Sequence, residues 1–354
     1  MASAPPVAVD VMGADRGPAE IVAGARRARD EHGIDVVLVG DPAVLADALA
    51  DAGDLEVVAA HEVVAMAEEP APAVRRKRDA SVVRAAEAVR DGRAGAMVSA
   101  GNTGAAMVAA LLRCGRVAGA SRPAIATTLP VPGSVPTVLV DSGANAECAP
   151  EWLVQFAQMG AVFSARRFGV AEPRVGLLSI GEEASKGTAL VREAHALLAV
   201  PGCLAAAGAR FVGNVEGRDV LTDAVDVVVT DGFTGNVVLK ALEGGVRTLV
   251  DAIVAVMGST EQTRAAAEVL VPALLPLYRE MDPETYGGAM LLGVAGVCVI
   301  SHGSSSADAI TNAVRVAHDL AAADLVGHLA AALAPPTPPP TPARAPTPPP
   351  AGPD

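Results

Sequence analysis

Asparagine is rare in this sequence, and most of its copies share one chemical setting. Four of the five asparagines follow a short apolar run and stand among glycines, namely Asn102, Asn145, Asn214 and Asn236. Glycine lets the backbone curl so that N–H groups point inward, and an asparagine amide donates hydrogen bonds without carrying charge. We therefore expect a cleft built from these turns to bind a phosphate-like anion. The alternative is that asparagine and glycine simply favour turns.

The residues next to these asparagines extend the candidate binding site. The predicted strands end before the turns, and a helix that begins at a turn adds partial positive charge for an anion. Ligands of parallel sheets bind at the carboxyl ends of the strands. The candidate binding residues beside the asparagines are Thr103, Gly104, Asp231, Thr234 and Gly235.

The second candidate is the segment 179–188, which reads SIGEEASKGT and holds one of only three lysines in the chain. Lys186 precedes Gly187, so the segment does not match GxxxxGK[ST], and GxGxxG is also missing. NTP hydrolysis and NAD chemistry therefore lack their usual sequence support. Lys186 lies near the start of a predicted helix and is placed to bind phosphate, with Gly181 and Glu182 beside it. The alternative is a surface lysine paired with Glu182 or Glu183.

Two further turns carry polar side chains. Asp10 ends a predicted strand and is followed by a loop with Gly13 and Asp15; Asp10 and Gly13 are candidate phosphate- or substrate-binding residues. Asp15 is expected either to orient a reacting group or to cap the next helix. His302 lies in a glycine- and serine-rich turn and is a candidate base or hydrogen-bond donor, with a structural histidine as the alternative. The small residues of 287–300 before it are expected to line a narrow groove for an alkyl chain or to pack closely between helices.

Arg75, Arg76, Lys77 and Arg78 form a run of four cations in an acidic chain. Such a run is most often a solvated surface. It also suits contact with an acidic carrier protein or a phosphorylated ligand.

Composition limits the class of protein. The formal net charge of −13 argues against a broad nucleic-acid-binding surface. The four cysteines have no metal-ligand spacing, so we expect buried free thiols, a reducing compartment and no metal or other cofactor. The N-terminus does not resemble a signal peptide, and the longest apolar stretch, 287–300, is too short to span a bilayer. We expect a cytoplasmic protein.

Short β-branched runs alternate with alanine-rich helical patterns along the chain. This alternation predicts an α/β fold, with a mostly parallel sheet covered by helices on both faces. We expect one large domain over 1–334. Residues 246–285 are predicted to form a protruding helical excursion with a proline-broken apolar elbow at 269–277, and a Pro/Thr-rich tail over 335–354 is predicted to be disordered. The predicted strands are 7–11, 35–39, 55–59, 96–99, 124–129, 137–140, 174–179, 210–212 and 225–230.

The predicted helices alternate with these strands. The last one is expected to begin with a capping box formed by Ser305 and Asp308. The others are 18–30, 41–50, 81–90 and 188–198.

Nine segments in order resemble the bacterial phosphate acyltransferases of phospholipid synthesis. They run from residue 9 to about 314 and read VDVMGADRGP, EEPAPAVRRKRDAS, SAGNTGA, DSGANAEC, GLLSIGEEASKG, FVGNVEGRD, DVVVTDGFTGNVVLKALEG, YGGAMLLGVAGV and HGSSSADAITNAV. The chain departs from the usual pattern at Ala14, Ser179 and Met290. Ser179 stands where an asparagine is common, which removes one amide donor.

The resemblance implies a three-layer α/β/α sandwich like the isocitrate and isopropylmalate dehydrogenases and the phosphotransacetylases. It implies a homodimer with a peripheral membrane contact. It also implies that inorganic phosphate attacks an acyl-carrier-protein thioester, and that a glycerol-3-phosphate acyltransferase then uses the acyl phosphate. A short-chain phosphotransacetylase that uses acyl-CoA is the alternative.

Phosphate is already a nucleophile, so the reaction needs no covalent enzyme intermediate. The site must desolvate and aim phosphate, and must stabilise the oxyanion formed from the thioester. We expect Lys186 and the turns at Asn102 and Asn236 to hold phosphate. Asn214 or His302 is expected to support the oxyanion or the leaving thiolate, with Asp231 orienting them.

Overall fold

The computed structural model describes residues 5–50 and 55–334; the predicted tail over 335–354 lies outside this range. The described residues form an eleven-stranded sheet between two helical layers, in the order β3-β2-β1-β4-β11-β10-β5-β6-β9-β7-β8. The predicted three-layer α/β/α fold is confirmed. The strands are β1 (Val7–Asp10), β2 (Val36–Gly40), β3 (Glu56–Ala59), β4 (Ala96–Ser99), β5 (Ala124–Leu129), β6 (Thr137–Val140), β7 (Arg174–Leu178), β8 (Arg210–Val215), β9 (Val227–Val229), β10 (Ala289–Leu292) and β11 (Val297–Ile300).

Eleven α-helices cover the sheet within the described part of the chain. They are α1 (Pro18–His32), α2 (Pro42–Ala50), α3 (Pro70–Arg76), α4 (Ser81–Arg90), α5 (Thr103–Arg113), α6 (Pro150–Phe168), α7 (Ala189–Leu198), α8 (Gly232–Gly258), α9 (Glu261–Met281), α10 (Ala307–Ala322) and α11 (Leu325–Ala332).

Strand direction divides the sheet into two halves. β3, β2, β1, β4 and β11 run parallel to one another, and β6, β9, β7 and β8 also run parallel to one another. Between the halves, β10 and β5 pair antiparallel with their neighbours, so the second half runs opposite to the first. We call the end where β1, β4 and β11 finish the upper end of the sheet. The end where β6, β7, β8 and β9 finish is the lower end.

The two faces of the sheet are covered differently. On one face a single apolar cluster runs under α1, α6 and α10 and spans both halves. On the other face two clusters are separate, one beneath α3, α4 and α5 and one beneath α8. Ile125 belongs to the first of these clusters and Leu129 to the second, so the partly exposed Thr127 lies between them on the same face of β5. We call the gap over this strand the central cleft.

Two strands were not predicted from the sequence. Residues 287–300 hold β10 and β11, and their side chains are buried at the centre of the sheet. Both interpretations of this stretch, an alkyl groove and close helix packing, are therefore wrong. The reason is that Gly293 and Gly296 separate two strands of only four residues, which hides the alternation that marks a strand.

Two local predictions also need correction. β8 continues to Val215, so Asn214 lies inside a strand and not in a turn after it. The residue that caps α10 is Ser306, whose hydroxyl accepts from the Ala309 amide, and not Ser305. Ser305 is buried and bonds Ser301, because that hydroxyl closes the turn before the helix.

Helices α8 and α9 form a long hairpin beyond the sheet. α8 starts at the lower end and crosses one face of the sheet, where its side chains Val238, Leu239 and Leu242 pack on the apolar cluster of the second half. Its 27 residues span about 40 Å, about twice the length of the strands. α9 returns to the upper end, where the Gly133 amide donates to Glu280 Oε1 over 2.8 Å.

The predicted elbow in this hairpin is wrong. Pro272 and Pro276 lie inside α9, which stays helical through 269–277. Each proline removes a backbone donor without ending this helix, and their spacing of four places both on one side of it. None of the α9 residues is buried.

Candidate active site

Asp141 organises the turn at the lower end of β6. Its carboxylate is fully buried and accepts hydrogen bonds from the backbone amides of Ile125, Gly143, Ala144 and Asn145 over 2.8–3.1 Å. A fifth bond comes from the Asn145 side chain over 2.9 Å. One carboxylate thus fixes the whole turn, because its two oxygens satisfy donors that would otherwise be buried without partners. The Val140–Asp141 peptide bond is cis.

The asparagine beside Asp141 completes this turn. The Asn145 amide donates to Pro123 O over 2.8 Å as well as to Asp141. Asn145 therefore holds the turn to the start of β5. Asn145 was among the predicted binding residues and Asp141 was not, although an Asp at a strand end, four residues before an Asn, was the available signal.

The N-terminus of α8 lies directly against the Asp141 turn. A Cβ on Gly235 would lie 1.9 Å from Asp141 O, and one on Gly232 would lie 2.6 Å from Asn145 O, so only glycine allows this approach. Asp231 caps the helix: its carboxylate accepts from the Thr234 amide and hydroxyl, both over 2.8 Å. The Asn236 side chain is exposed and donates to Ser142 O over 3.2 Å. The helix therefore directs its positive end to the lower end of the cleft.

Lys186 stands on the next loop of the lower end, which follows β7. β7 and β9 are neighbours, so the loops that follow them lie side by side. Lys186 is exposed, and within 5–50 and 55–334 its ammonium makes no hydrogen bond or ion pair. Glu182 instead lies 3.7 Å from Arg218. The predicted alternative, an ion pair of Lys186 with Glu182 or Glu183, does not form in the described chain.

Two features hold the Lys186 loop in place. A Cβ on Gly181 would lie 3.0 Å from Lys186 Cγ, so the lysine stem folds over this glycine. Asn214 is 6% exposed and donates to Glu183 O over 2.9 Å. Its Oδ1 is buried and has no partner among the described residues. Asn214 is therefore a support for the loop, and its carbonyl oxygen is left without a partner among the described residues.

Cys148 is the cysteine that lies beside the Asp141 turn, with its Sγ 3.6 Å from Asn145 O. Burial raises the pKa of this thiol to about 11. At neutral pH it is protonated, and a protonated thiol is a poor nucleophile.

The upper end of the cleft is arranged in another way. Asn102 caps α5, since its Oδ1 accepts from the Ala105 amide over 3.0 Å. Its amide group donates to Ala65 O, Met66 O and Glu68 O over 3.1–3.2 Å. Both amide hydrogens are thus shared among three carbonyls of one segment. We call that segment, residues 61–68, the strap.

The strap covers the loops that follow β1 and β11. Gly13 has φ +82°, and a Cβ there would lie 3.4 Å from Val64 O. A Cβ on Gly303 would lie 2.9 Å from the Met66 methyl group. Thr103 is exposed next to Asn102, whereas Gly104 packs so closely on Pro70 that a Cβ would lie 2.5 Å away.

Asp10 lies buried beneath the strap. The Ser99 hydroxyl donates to its carboxylate over 2.7 Å, and the Met12 amide donates over 3.2 Å. Burial raises the pKa of this carboxyl above its ordinary value near 3.8, against the hydrogen bonds from Ser81, Ser99 and Met12 that lower it. Asp10 therefore ties β1 to β4, and only 3% of it is exposed.

His302 also belongs to the upper end. Its side chain is exposed, and its backbone amide donates to Ser305 Oγ over 3.0 Å. The Asp15 amide donates to Gly303 O over 2.9 Å, so the loops after β1 and β11 are joined. No cluster of His, Cys, Asp and Glu suited to a metal ion occurs in the described ranges.

The four cations of the basic run have different surroundings. Arg75 and Arg78 are exposed and make no ion pair within the described chain, whereas Arg76 lies 3.2 Å from Glu68. Lys77 is 23% exposed and donates to Glu68 Oε2 and to Val63 O, the latter over 2.7 Å. The Lys77 ammonium therefore points into the strap, unlike the side chains of Arg75 and Arg78.

The strand directions separate the predicted phosphate residues. Asn145, Asn236 and Lys186 lie at the lower end, whereas Asn102 and His302 lie at the upper end. The expectation that all four asparagine turns form one cluster is wrong, because β10 and β5 reverse the direction of the second half. Strands of four to six residues place the two ends roughly 13–20 Å apart. A ligand that contacts both ends would have to span this distance over β5.

Comparisons with known proteins identify the family of this chain. A family model described as fatty acid synthesis protein matches residues 6–327. A phosphate acyltransferase of Heliobacterium modesticaldum is 48% identical over 317 residues, which cover 88% of this chain and 92% of the relative.

Solved structures share the fold at low identity. The EutD phosphotransacetylase from Staphylococcus aureus superposes with a TM-score of 0.60 at 17% identity, covering 90% of this chain and 94% of that one. A branched-chain phosphotransacylase from Enterococcus faecalis superposes with a TM-score of 0.54 at 14% identity, covering 89% and 99%.

Proposed function

The chain belongs to the phosphate acyltransferase family, and from that membership we propose that it transfers a long-chain acyl group from an acyl carrier protein to inorganic phosphate. Acyl transfer to phosphate is the activity of the family. The carrier, the acyl phosphate product and its use by a glycerol-3-phosphate acyltransferase are our proposal. The observation that carries it is an exposed, unpaired Lys186 beside the N-terminus of α8, across a cleft from an exposed cationic surface.

Phosphate is proposed to bind at the lower end of the cleft. Lys186 supplies a full positive charge, and the first turn of α8 supplies backbone donors and the partial charge of the helix. Thr234 and Asn236 lie in that first turn. Asp231, Asn145, Gly181 and Gly235 act indirectly in this proposal, since they shape the loop and the helix start around the anion.

The carrier is proposed to dock at the upper end. Arg75 and Arg78 are exposed on and just after α3, where an acidic partner can reach them, and charge complementarity favours such an encounter. The thioester arm then crosses the central cleft toward Lys186. Thr103 and His302 are proposed to contact the arm along this route. His302 does not stabilise the leaving thiolate in this proposal, because it lies at the upper end and phosphate attacks at the lower end.

The reaction then needs no protein nucleophile. A phosphate oxygen attacks the thioester carbon, the carbonyl oxygen takes the negative charge, and collapse of this intermediate expels the carrier thiolate. Donors of the α8 turn, with the Asn236 amide, are proposed to stabilise the oxyanion. The raised pKa of the Cys148 thiol fits this scheme, because the cysteine beside the turn is not ionised to compete with phosphate.

A single assay tests the reaction. The protein is incubated with palmitoyl-carrier, acetyl-CoA or buffer, and phosphate-dependent release of acyl phosphate is measured. We expect release from palmitoyl-carrier alone. Release from acetyl-CoA in place of palmitoyl-carrier would identify a short-chain phosphotransacetylase, and release from neither would contradict acyl transfer to phosphate.

The α8–α9 hairpin is proposed to contact the membrane surface. No helix of the described chain is both long and apolar enough to cross a bilayer. Val269, however, is 76% exposed, and the exposed apolar side chains continue along α9 at Leu270, Leu274, Leu275 and Leu277. An exposed apolar stripe of this size marks a contact surface. The alternative is burial against the second subunit of the proposed homodimer.

One substitution distinguishes a membrane surface from a second subunit as the contact of this hairpin. Leu274→Glu places a charge in the apolar stripe, so we expect it to reduce binding to anionic liposomes at least about tenfold. Light scattering on the same sample reports the mass. Unchanged liposome binding together with a loss of dimer mass would contradict the membrane contact and support the subunit interface. Val44→Glu, an exposed apolar site on α2, is the control for a nonspecific effect of charge.

A further inference from the structure

The strap holds every hydrogen that the Asn102 amide can donate. Asn102 gives them to three strap carbonyls, while its own carbonyl oxygen caps α5. The position of the strap therefore decides the position of this side chain. It also decides whether Asn102 has a donor to offer a ligand in the cleft.

The strap is latched from the side of the basic run. Glu68 is the centre of this latch: its Oε2 accepts from the Lys77 ammonium and from the Ala65 amide, the latter over 2.9 Å. Lys77 also donates to Val63 O over 2.7 Å. Lys77 thus connects Val63 and Glu68 of the strap. Its positive charge is paired with Glu68 and is little available to a partner protein.

The other end of the strap is attached to the same segment of chain. The His61 amide donates to Asp79 Oδ2 and the Asp79 amide donates to Glu62 Oε2, both over 3.0 Å. Within 76–79, Arg78 is exposed and makes no ion pair in the described chain, whereas Arg76 also reaches Glu68 over 3.2 Å. A bare run of charges does not reveal this difference.

We propose that Lys77 and Glu68 are positioning residues, which latch the strap against Asn102 and so set the upper end of the central cleft. This inference rests on the proposed function, in which the thioester arm passes that end. The hydrogen bond from Lys77, followed by that from Ala65, holds the pKa of Glu68 below its ordinary range, so the latch stays charged at neutral pH. Arg75 and Arg78 remain the carrier contacts.

Lys77→Met tests the latch because it removes the ammonium and keeps the apolar stem. We expect amide hydrogen exchange at Ala65 to accelerate about tenfold or more. We expect kcat to fall roughly tenfold to a hundredfold through misplacement of the arm, with the KM for carrier and its salt dependence unchanged. Lys77→Arg keeps a charged donor to Glu68 and should restore part of kcat.

Arg78→Met is the matched comparison, since it removes one charge from the neighbouring surface. It should raise the KM for carrier and weaken its dependence on salt, while exchange at Ala65 stays as in the wild type. If Lys77→Met shows this same pattern, Lys77 is a carrier contact and the proposal is overturned. Faster exchange with an unchanged kcat would also overturn it, because the strap would then not position the site.

Glu68→Gln provides a second route if Lys77→Met does not fold. It keeps the side-chain shape and should show the same kcat loss, and the double variant should lose little more than either single variant. Additive losses would overturn the latch. If the wild type releases no acyl phosphate, the proposed function fails; faster exchange at Ala65 in Lys77→Met then still supports the latch, and unchanged exchange refutes it.

Discussion

The two ends of the sheet carry similar sequence motifs and use them differently. At the upper end, the Asn102 turn is closed: its amide is bound by the strap, and Asp10 is buried below it. At the lower end, the turn is built by Asp141 from behind, and an exposed Lys186 stands beside the start of α8. One end is held together by its polar groups, whereas the other presents a charge to solvent.

This difference shows that a motif does not determine what its polar groups do. An asparagine in a glycine turn has the same donors in every case, and its neighbours decide whether a ligand can use them. The separation also suits the proposed reaction, in which one end guides an arm and the other binds an anion. Variants at each end should therefore fail in different ways.

The largest effect is expected at Asp141. Asp141→Asn replaces an acceptor for five N–H groups with a side chain that donates as well, so we expect a loss of about 3–5 kcal/mol in the free energy of unfolding. Urea denaturation measures it. The control is Asp231→Asn, which also removes a charge from the lower end but leaves a good helix cap. Equal losses in the two variants would show that Asp141 does not organise the turn.

The second largest effect is expected at the lower end. Lys186→Ala removes the exposed ammonium, so we expect kcat/KM for phosphate to fall about a hundredfold or more, with the fold intact. Initial rates at varied phosphate concentrations measure this change. Lys240→Ala is the matched control, since Lys240 is also exposed but is paired with Glu243 over 2.8 Å. A near-normal dependence on phosphate in Lys186→Ala would show that Lys186 does not bind phosphate.

Much of the fold was readable because buried strands and alanine-rich helices have different periods. β4, β5 and β6 have the predicted bounds, and the three-layer architecture is confirmed. Strand direction was not readable, since apolar alternation is the same in parallel and antiparallel pairs. The sequence therefore identified the turns without showing that Asn102 and Asn236 lie at opposite ends.

The candidate site was predicted unevenly for a related reason. The rarity of lysine drew attention to Lys186, which is exposed, and would equally have selected Lys77, which is committed to Glu68. Asp141 was missed although four of its five donors come from residues 143–145 of its own turn, where the Asp at the strand end was the available signal. Only the Ile125 amide, which comes from β5, depends on tertiary structure and leaves no local pattern.

The smallest effect concerns the closed end. Burial raises the pKa of the Asp10 carboxyl, so the folded chain holds a proton that the unfolded chain has already lost. For this group, stability is highest below about pH 3.8 and falls as the pH rises toward the folded-state pKa, by at most about 1.4 kcal/mol for each pH unit. Asp10→Asn does not titrate, so its melting temperature relative to the wild type should rise over that window.

Melting curves between pH 4 and pH 8 measure this difference, with Asp47→Asn as the control because Asp47 is exposed on α2. The control should show no comparable rise. If Asp10→Asn follows the wild type at every pH, the carboxyl does not carry a cost of burial. If Asp10→Asn shows the expected rise and keeps the wild-type KM for phosphate, Asp10 holds β1 to β4 and binds no substrate. The contrast between a closed upper end and an open lower end then becomes sharper. A selective rise in that KM would instead place Asp10 in the binding site and break the contrast.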